Sequence, residues 1–229
     1  MSKKKIKVRV KKRKIKIKRV LISLLVITLL ILFIYYIGKI PITNIYIIGN
    51  KIVSDKEIID LSDIENYPST LNVKNKVIIS KLKNNVYIEK VEIKRKRFNK
   101  IYIYITEKNI LCIYDNKLLL GDGLLVENKN NITGFPILLS DISSIKEKFV
   151  TKFSMIDDSI LLKISEIEYA PNDVDSERFI LNMNDGNLVY INLNKIEKIN
   201  KYNSIYSKLD GKKGIIYLDS GDYVEIKEE

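Results

Sequence analysis

The chain has 229 residues and carries 40 Lys+Arg against 28 Asp+Glu, a net charge of +12, with no histidine and a single cysteine. That composition excludes an internal disulfide, histidine-based catalysis and any paired-cysteine metal site. The positive charge points first to nucleic acid, but twelve Lys and Arg fall between residues 3 and 19 with no acid among them. Taking those 12 from the 40 leaves 28 basic against 28 acidic residues, so everything after the tail is neutral.

The tail leads into an apolar run at residues 20–37, eighteen residues whose only polar members are Ser23 and Thr28. At about 1.5 Å per residue it spans roughly 27 Å, close to a hydrocarbon core of about 30 Å, and it reads as a transmembrane helix over residues 20–38. Tyr35 and Tyr36 fall at its far end, where amphipathic rings favour the interface. A cleaved signal peptide would have a shorter apolar core and a small-residue cleavage site. The chain's sole alanine is Ala170, so an uncleaved anchor is expected. By the positive-inside rule, Lys11, Lys12, Arg13, Lys14, Lys16, Lys18 and Arg19 hold the N-terminus in the cytoplasm and place the remainder outside. The tail over residues 1–19 can also lie against anionic lipid. No aromatic residue interleaves its charges, so nucleic acid is not an expected partner.

The outer part is neutral, stapled by no disulfide and strand-rich. Residues 44–48 read as a strand ended by Gly49-Asn50. Ser54 and Glu57 form a capping box, predicting a helix through about Ile64 with Ile58, Leu61 and Ile64 inward, broken at Pro68. A second helix is predicted over residues 74–82, then strands over 88–95 and 101–105 joined by a turn at Arg97-Phe98-Asn99-Lys100, where Asn99 tolerates turn geometry. The order β-α-α-β-β makes residues 41–108 one unit.

Residues 109–229 read as a strand-rich β domain with flanking helices, giving an α+β fold class overall. Strands are predicted over 110–114, 117–120, 124–126, 136–139 and 164–169, with Cys112 as a small buried apolar residue. Ser143 or Ser144 caps a helix running towards Ile160. Residues 179–183 and 188–191 form a hairpin about a two-residue Asp185-Gly186 turn. A helix follows over about 194–209, then strands over 214–218 and 223–226 around the turn Asp219-Ser220-Gly221.

In this arrangement Ile45-x-Ile-x-Gly49-Asn50, followed by Val53-Ser54-x-x-Glu57-Ile58, resembles the opening of the POTRA domain of the FtsQ/DivIB cell-division proteins. The hairpin from Val91 to Glu107, the segment from Leu181 to Leu193 with its Asp185-Gly186 turn, Lys198-Ile199-x-Lys201-Tyr202 and the stretch from Gly214 to Gly221 extend that resemblance over essentially the whole chain. One departure is the hairpin turn, where Phe98-Asn99-Lys100 stands in place of the family's usual proline. The resemblance implies a non-catalytic protein of the plasma membrane at the division septum, with no cofactor and no small-molecule substrate. It implies a complex with FtsB/DivIC-like and FtsL-like bitopic partners that supports or regulates septal peptidoglycan synthesis. The family's last strands engage the FtsB/DivIC-type partner, which marks Leu218, Ser220, Gly221, Tyr223, Val224 and Ile226 as contact residues here. A terminal strand with one free edge can accept a partner segment as an added strand.

Two other classes stay open. One is a bitopic adaptor or transport POTRA protein outside division. The other is a Ser/Lys enzyme, because Ser80 with Lys83 and Ser143 with Lys146 match S-x-x-K. The companion S-D-N and K-T-G elements are missing, and Lys212-Lys213-Gly214 lacks the hydroxyl.

Overall fold

The computed structural model describes residues 16–129 and 131–227. Lys11, Lys12, Arg13 and Lys14 of the orienting tail lie outside the described residues, whereas Lys16, Lys18 and Arg19 are described and exposed. Beyond the tail the chain divides into two compact units. The first runs to Asn85 and resumes over Lys90–Thr106; the second comprises Val86–Glu89 and everything from Glu107.

Helix α1 covers Ile17–Gly38, 22 residues, about 33 Å at 1.5 Å per residue. It starts a turn earlier than the apolar run because Ile17, Lys18 and Arg19 continue the same hydrogen-bond pattern. None of its residues is buried. A helix apolar on every side and covered by nothing in its own chain is long and apolar enough to cross a membrane. The Thr28 hydroxyl donates to the Leu24 carbonyl at 2.9 Å, so it meets its hydrogen-bonding need within the helix.

In the rest of the first unit, strand β1 (Asn44–Ile48), helices α2 (Asp55–Leu61) and α3 (Asn75–Leu82), and strands β2 (Ile88–Lys96) and β3 (Lys100–Glu107) follow in order. The sheet order is β1-β3-β2, with β1 parallel to β3 in the register Tyr46↔Tyr102. Ile58, Ile78, Leu82, Ile101 and Ile103 are buried almost completely. Gly49 ends β1 at φ +95°, and a Cβ there would stand 2.3 Å from the Ile105 carbonyl oxygen. Next to it, the Asn50 amide donates to the Val53 carbonyl at 2.9 Å and to Asp55 Oδ1 at 2.8 Å, tying the strand exit to the start of α2. The Gly49-Asn50 pair thus has a packing reason and a bonding reason.

Local expectations are corrected in three places here. Ser54 caps α2 by accepting from the Glu57 amide at 3.2 Å, but the Glu57 carboxylate takes the Asn85 side chain at 2.8 Å. Helix α2 ends at Leu61, not near Ile64, because Asp63 adopts φ 52° well before Pro68. Ile64 is buried all the same, carried inward by the turn. At the β2–β3 turn the positive φ values fall on Arg97 (48°) and Phe98 (63°), not on Asn99.

The second unit holds a nine-stranded sheet in the order β12-β11-β10-β9-β8-β7-β4-β5-β6. Its strands are β4 (Ile110–Tyr114), β5 (Lys117–Leu120), β6 (Leu125–Glu127), β7 (Ile137–Leu138), β8 (Ile164–Tyr169), β9 (Arg178–Met183), β10 (Leu188–Asn192), β11 (Gly214–Tyr217) and β12 (Tyr223–Ile226). Between them lie α4 (Lys146–Phe153), α5 (Asp158–Leu161), a 3-10 helix (Leu193–Lys201) and α6 (Tyr202–Tyr206). Phe149 and Phe153 stack at 3.9 Å between ring centroids and meet Phe179 at 5.5 and 5.7 Å, the aromatic centre of the core. Cys112 is buried in the same core, which pushes its thiol up to about 12 and keeps it inert.

Two predicted helices are each divided. The segment expected from Ser143 to Ile160 becomes α4 and α5, and Asn200 occupies the break: its amide donates to the Met155 carbonyl at 3.0 Å, and its oxygen accepts from the Asp157 amide at 2.9 Å. Ser143 does not cap α4; its hydroxyl donates to Asp141 Oδ1 at 2.5 Å. The segment expected as a helix over 194–209 is mostly a 3-10 helix, capped by Asn192 Oδ1 accepting from the Asn194 amide at 2.7 Å. Its buried residues Leu193, Ile196, Ile199 and then Tyr202 recur every third position, the period of a 3-10 helix. The β9–β10 turn also differs from the expected two-residue form. Met183 donates to the Asn187 carbonyl at 2.9 Å across three residues, and Gly186 alone among them takes positive φ.

That turn feeds a polar network in which Asn187 and Tyr202 are buried and Asp185 is partly so. The Tyr202 hydroxyl donates to Asp185, 2.8 and 2.7 Å from its two oxygens. The Asn187 amide nitrogen lies 2.9 Å from both Asp185 Oδ1 and the Tyr202 hydroxyl oxygen. Asn187 Oδ1 accepts from the Gly214 amide at 2.7 Å. Burial, then the Asp185 carboxylate, raise the Tyr202 hydroxyl well above its ordinary value, so it is a donor throughout the physiological range.

Two substitutions test these constraints by chemical denaturation. Gly49→Ala is expected to cost about 2 kcal/mol or more, from the left-handed backbone and the carbonyl clash together. Tyr202→Phe, which leaves Asp185 and Asn187 short of a buried partner, is expected to cost about 1–3 kcal/mol.

Candidate functional site

Strand β12 forms one edge of the nine-stranded sheet, and among the described residues only its β11 side carries a neighbouring strand. It pairs antiparallel with β11 in the register Gly214↔Ile226, Ile215↔Glu225, Ile216↔Val224, Tyr217↔Tyr223. Gly214 lets the two backbones close, since a Cβ there would lie 2.7 Å from the Glu225 carbonyl oxygen. Alternation then separates two faces. Val224, beside Ile216, is half-buried against the core, and Ile226, 50% exposed, carries that apolar row beyond the covered region.

The opposite face carries a ladder of rings. The Arg178 guanidinium lies over Tyr190 at 4.2 Å, Tyr190 stacks on Tyr217 at 5.1 Å, and Tyr217 stacks on Tyr223 at 4.6 Å. Each step crosses one strand, from β9 to the edge. Arg178 is fixed at the inner end by Asp219, Nε to Oδ2 2.8 Å, with the Asp219 side chain only 9% exposed. Burial pushes the Asp219 carboxyl up, but Arg178 and the Ser220 hydroxyl outweigh it and hold it below its ordinary value. The loop to β12 is tied down further: Lys195 donates to the Asp219 carbonyl, and Lys198 pairs with Asp222 at 2.6 Å.

The expected contact residues therefore divide. Ser220, Gly221, Tyr223 and Ile226 are exposed along the loop and the edge, and Val224 is partly so. Leu218 is 4% exposed and packs in the core, so it seats β11 and has little surface to offer a partner. Arg178, Tyr190, Tyr217 and Asp219 join the site from outside the expected set. Period-2 alternation places Tyr217 opposite Ile216 and Leu218, but the stacking partners come from sheet order, which the sequence does not print. Of the two S-x-x-K matches, Ser80 is exposed on α3 and the Ser143 hydroxyl is engaged by Asp141.

The Asp219–Arg178 pair predicts a pH dependence. A carboxyl held below its unfolded value of about 3.9 stabilises the fold fully above that value and loses the contribution as pH falls through its folded value. Asp219→Asn is expected to cost about 2 kcal/mol near neutrality, and the difference from the unaltered protein should shrink below about pH 4. Denaturation midpoints across that range check it.

Comparison with known proteins places this architecture. Residues 40–108 match the POTRA domain, FtsQ-type. Over 194 residues the chain is 33% identical to cell division protein DivIB of Bacillus subtilis (strain 168), covering 80% of this chain and 73% of that protein. It is 28% identical over 186 residues to DivIB of Geobacillus kaustophilus (strain HTA426), covering 76% and 71%. The solved major extracytoplasmic domain of the trans isomer of DivIB from Geobacillus stearothermophilus overlays at 21% identity and TM-score 0.38, over 46% of this chain and 96% of that one, too loosely to bear on the site. Identity at that level, over most of both chains and behind a matching POTRA domain, shows that this chain belongs to the DivIB family of cell division proteins.

Proposed function

We propose that the chain is a non-catalytic scaffold of the division machinery, fixed in the plasma membrane by α1 with its N-terminus in the cytoplasm and both units outside, at the septum. There it joins FtsB/DivIC-like and FtsL-like bitopic proteins and supports or regulates septal peptidoglycan synthesis. The observation that carries this reading is the edge position of β12. Its outer row of N–H and C=O groups can pair with a segment of the FtsB/DivIC-like partner, adding a tenth strand to the sheet. Ile226 and Val224 extend the apolar side that such a strand would cover, and Tyr223 extends the stacked side. The ladder from Arg178 outward keeps β12 in place before a partner arrives, which lowers the ordering cost of association.

Removing residues 219–229 is expected to abolish co-purification with the DivIC-like partner. Because that truncation also removes Asp219, the milder Ile226→Asp, at an exposed position, is expected to weaken capture without lowering the unfolding midpoint. Full retention of the partner by both variants would place the site elsewhere. A fluorescent fusion is expected to form a midcell band in dividing cells; a uniform membrane stain in cells that divide normally without the protein would overturn the division assignment.

A further inference from the structure

Within the connection between α2 and α3, the loop of residues 65–73 is bonded directly to the chain as it leaves α1. The Ser69 hydroxyl donates to the carbonyl of Gly38, the last residue of the helix. The Thr70 amide donates to the Ile40 carbonyl at 2.9 Å, and the Ile42 amide donates to the Pro68 carbonyl at 3.0 Å. Pro41 and Ser69 form an antiparallel bridge. No spacer separates the apolar helix from the rest of the first unit, and this loop is what the helix exit rests against.

The same loop presents two large apolar side chains that its own unit leaves uncovered. Tyr67 is 51% exposed and Leu71 49%. Each adjoins a residue bonded to the exit segment, Pro68 and Thr70 respectively, and one step along the chain is about 3.8 Å. Tyr67 holds φ 47°, a costly conformation for a bulky residue. The loop is kept stiff from the other side by Arg95, which donates to the Thr70 carbonyl at 2.7 Å, to the Val73 carbonyl and to Asn75 Oδ1 at 2.8 Å. Glu65 is its single charged residue. At the helix exit, the Lys39 ammonium lies 4.4 Å from the Tyr35 ring centroid.

We propose that residues 65–73 seat the first unit on the lipid surface, with Tyr67 and Leu71 entering the interfacial layer of the leaflet from which α1 emerges. The proposal rests on the reading that α1 spans a membrane. Tyrosine with its ring in the headgroup region and leucine below it suit that layer. The surface is continuous with the span itself, because the loop is bonded to the residue where the span ends. The first unit then meets the membrane at two places, and its tilt is set by the pair.

The chain contains no tryptophan, so each Trp substitution yields a single-tryptophan protein whose emission is selected by exciting at the red edge, beyond tyrosine absorption. The full chain carrying Tyr67→Trp or Leu71→Trp is reconstituted into phosphatidylcholine vesicles with and without brominated acyl chains, beside Phe33→Trp within α1 and Val174→Trp, 96% exposed, as the water reference. Quenching of the Trp at 67 and at 71 by brominated lipid, with emission blue-shifted from the reference, is the expected result. If the Trp at 33 is quenched while both loop positions behave like the reference, the seating proposal fails and the span stands. If the Trp at 33 is itself unquenched, the membrane-spanning reading fails, and the seating proposal with it. Shielding of the loop positions that arises only when partner proteins are co-reconstituted would assign the loop to a protein contact and overturn the lipid proposal.

Discussion

The second unit is organised around the part-buried contact of the Tyr202 hydroxyl with Asp185, shared by Asn187. A partly buried carboxylate beside a buried amide is costly unless their polar atoms find partners. Here they are met by groups from three separate stretches: the β9–β10 turn, the start of α6 and the Gly214 amide that opens β11. Satisfying that network fixes where β11 begins relative to β10. Gly214 then sets how closely β12 can lie on β11. The position of the edge strand thus descends from a few hydrogen bonds well inside the unit.

Three of the stretches on which the family resemblance was drawn converge on that network: the Asp185-Gly186 turn, the segment ending in Tyr202 and the segment opening at Gly214. Their separation in sequence conceals that they serve one purpose. In the first unit, Gly49-Asn50 has a comparable role on a smaller scale. It combines a backbone approach that admits no side chain with an amide that ties the strand exit to the next helix.

Strands were legible because short apolar or alternating runs, cleanest at residues 101–105, are bounded by residues with strong turn chemistry; residues 44–48, 110–114, 164–169 and 223–226 are strands with the bounds the sequence predicts. Helices were less so. The break between α4 and α5 depends on Asn200, a distant residue that binds the freed backbone groups, and no local pattern announces it. The 3-10 helix did carry a signal, the three-residue spacing of Leu193, Ile196, Ile199 and Tyr202, which an expectation of 3.6 residues per turn passes over. At the candidate site, the exposed edge followed from the family pattern, whereas the burial of Leu218 follows from the alternation it shares with Ile216. The tyrosine ladder needed strand order, since Tyr190 and Tyr217 come from strands separated by the 3-10 helix and α6.

Strand β7 has just two residues, and its ladder to either side is correspondingly short: Ile113↔Ile137 towards β4, Ile137↔Glu166 and Leu138↔Ile167 towards β8. Across that seam the sheet is joined mainly by side chains of the shared core, among them Leu111, Cys112, Leu138 and Ile167. Backbone ladders are directional and give way abruptly, whereas apolar contact is non-directional and yields gradually. A pull entering at β12 is therefore carried stiffly through β8–β12, and the sheet's compliance is concentrated at β7. The meander β4–β6, which follows directly on the first unit in the chain, lies beyond that soft line; in series it bears the same force, and β7 is where the sheet gives first.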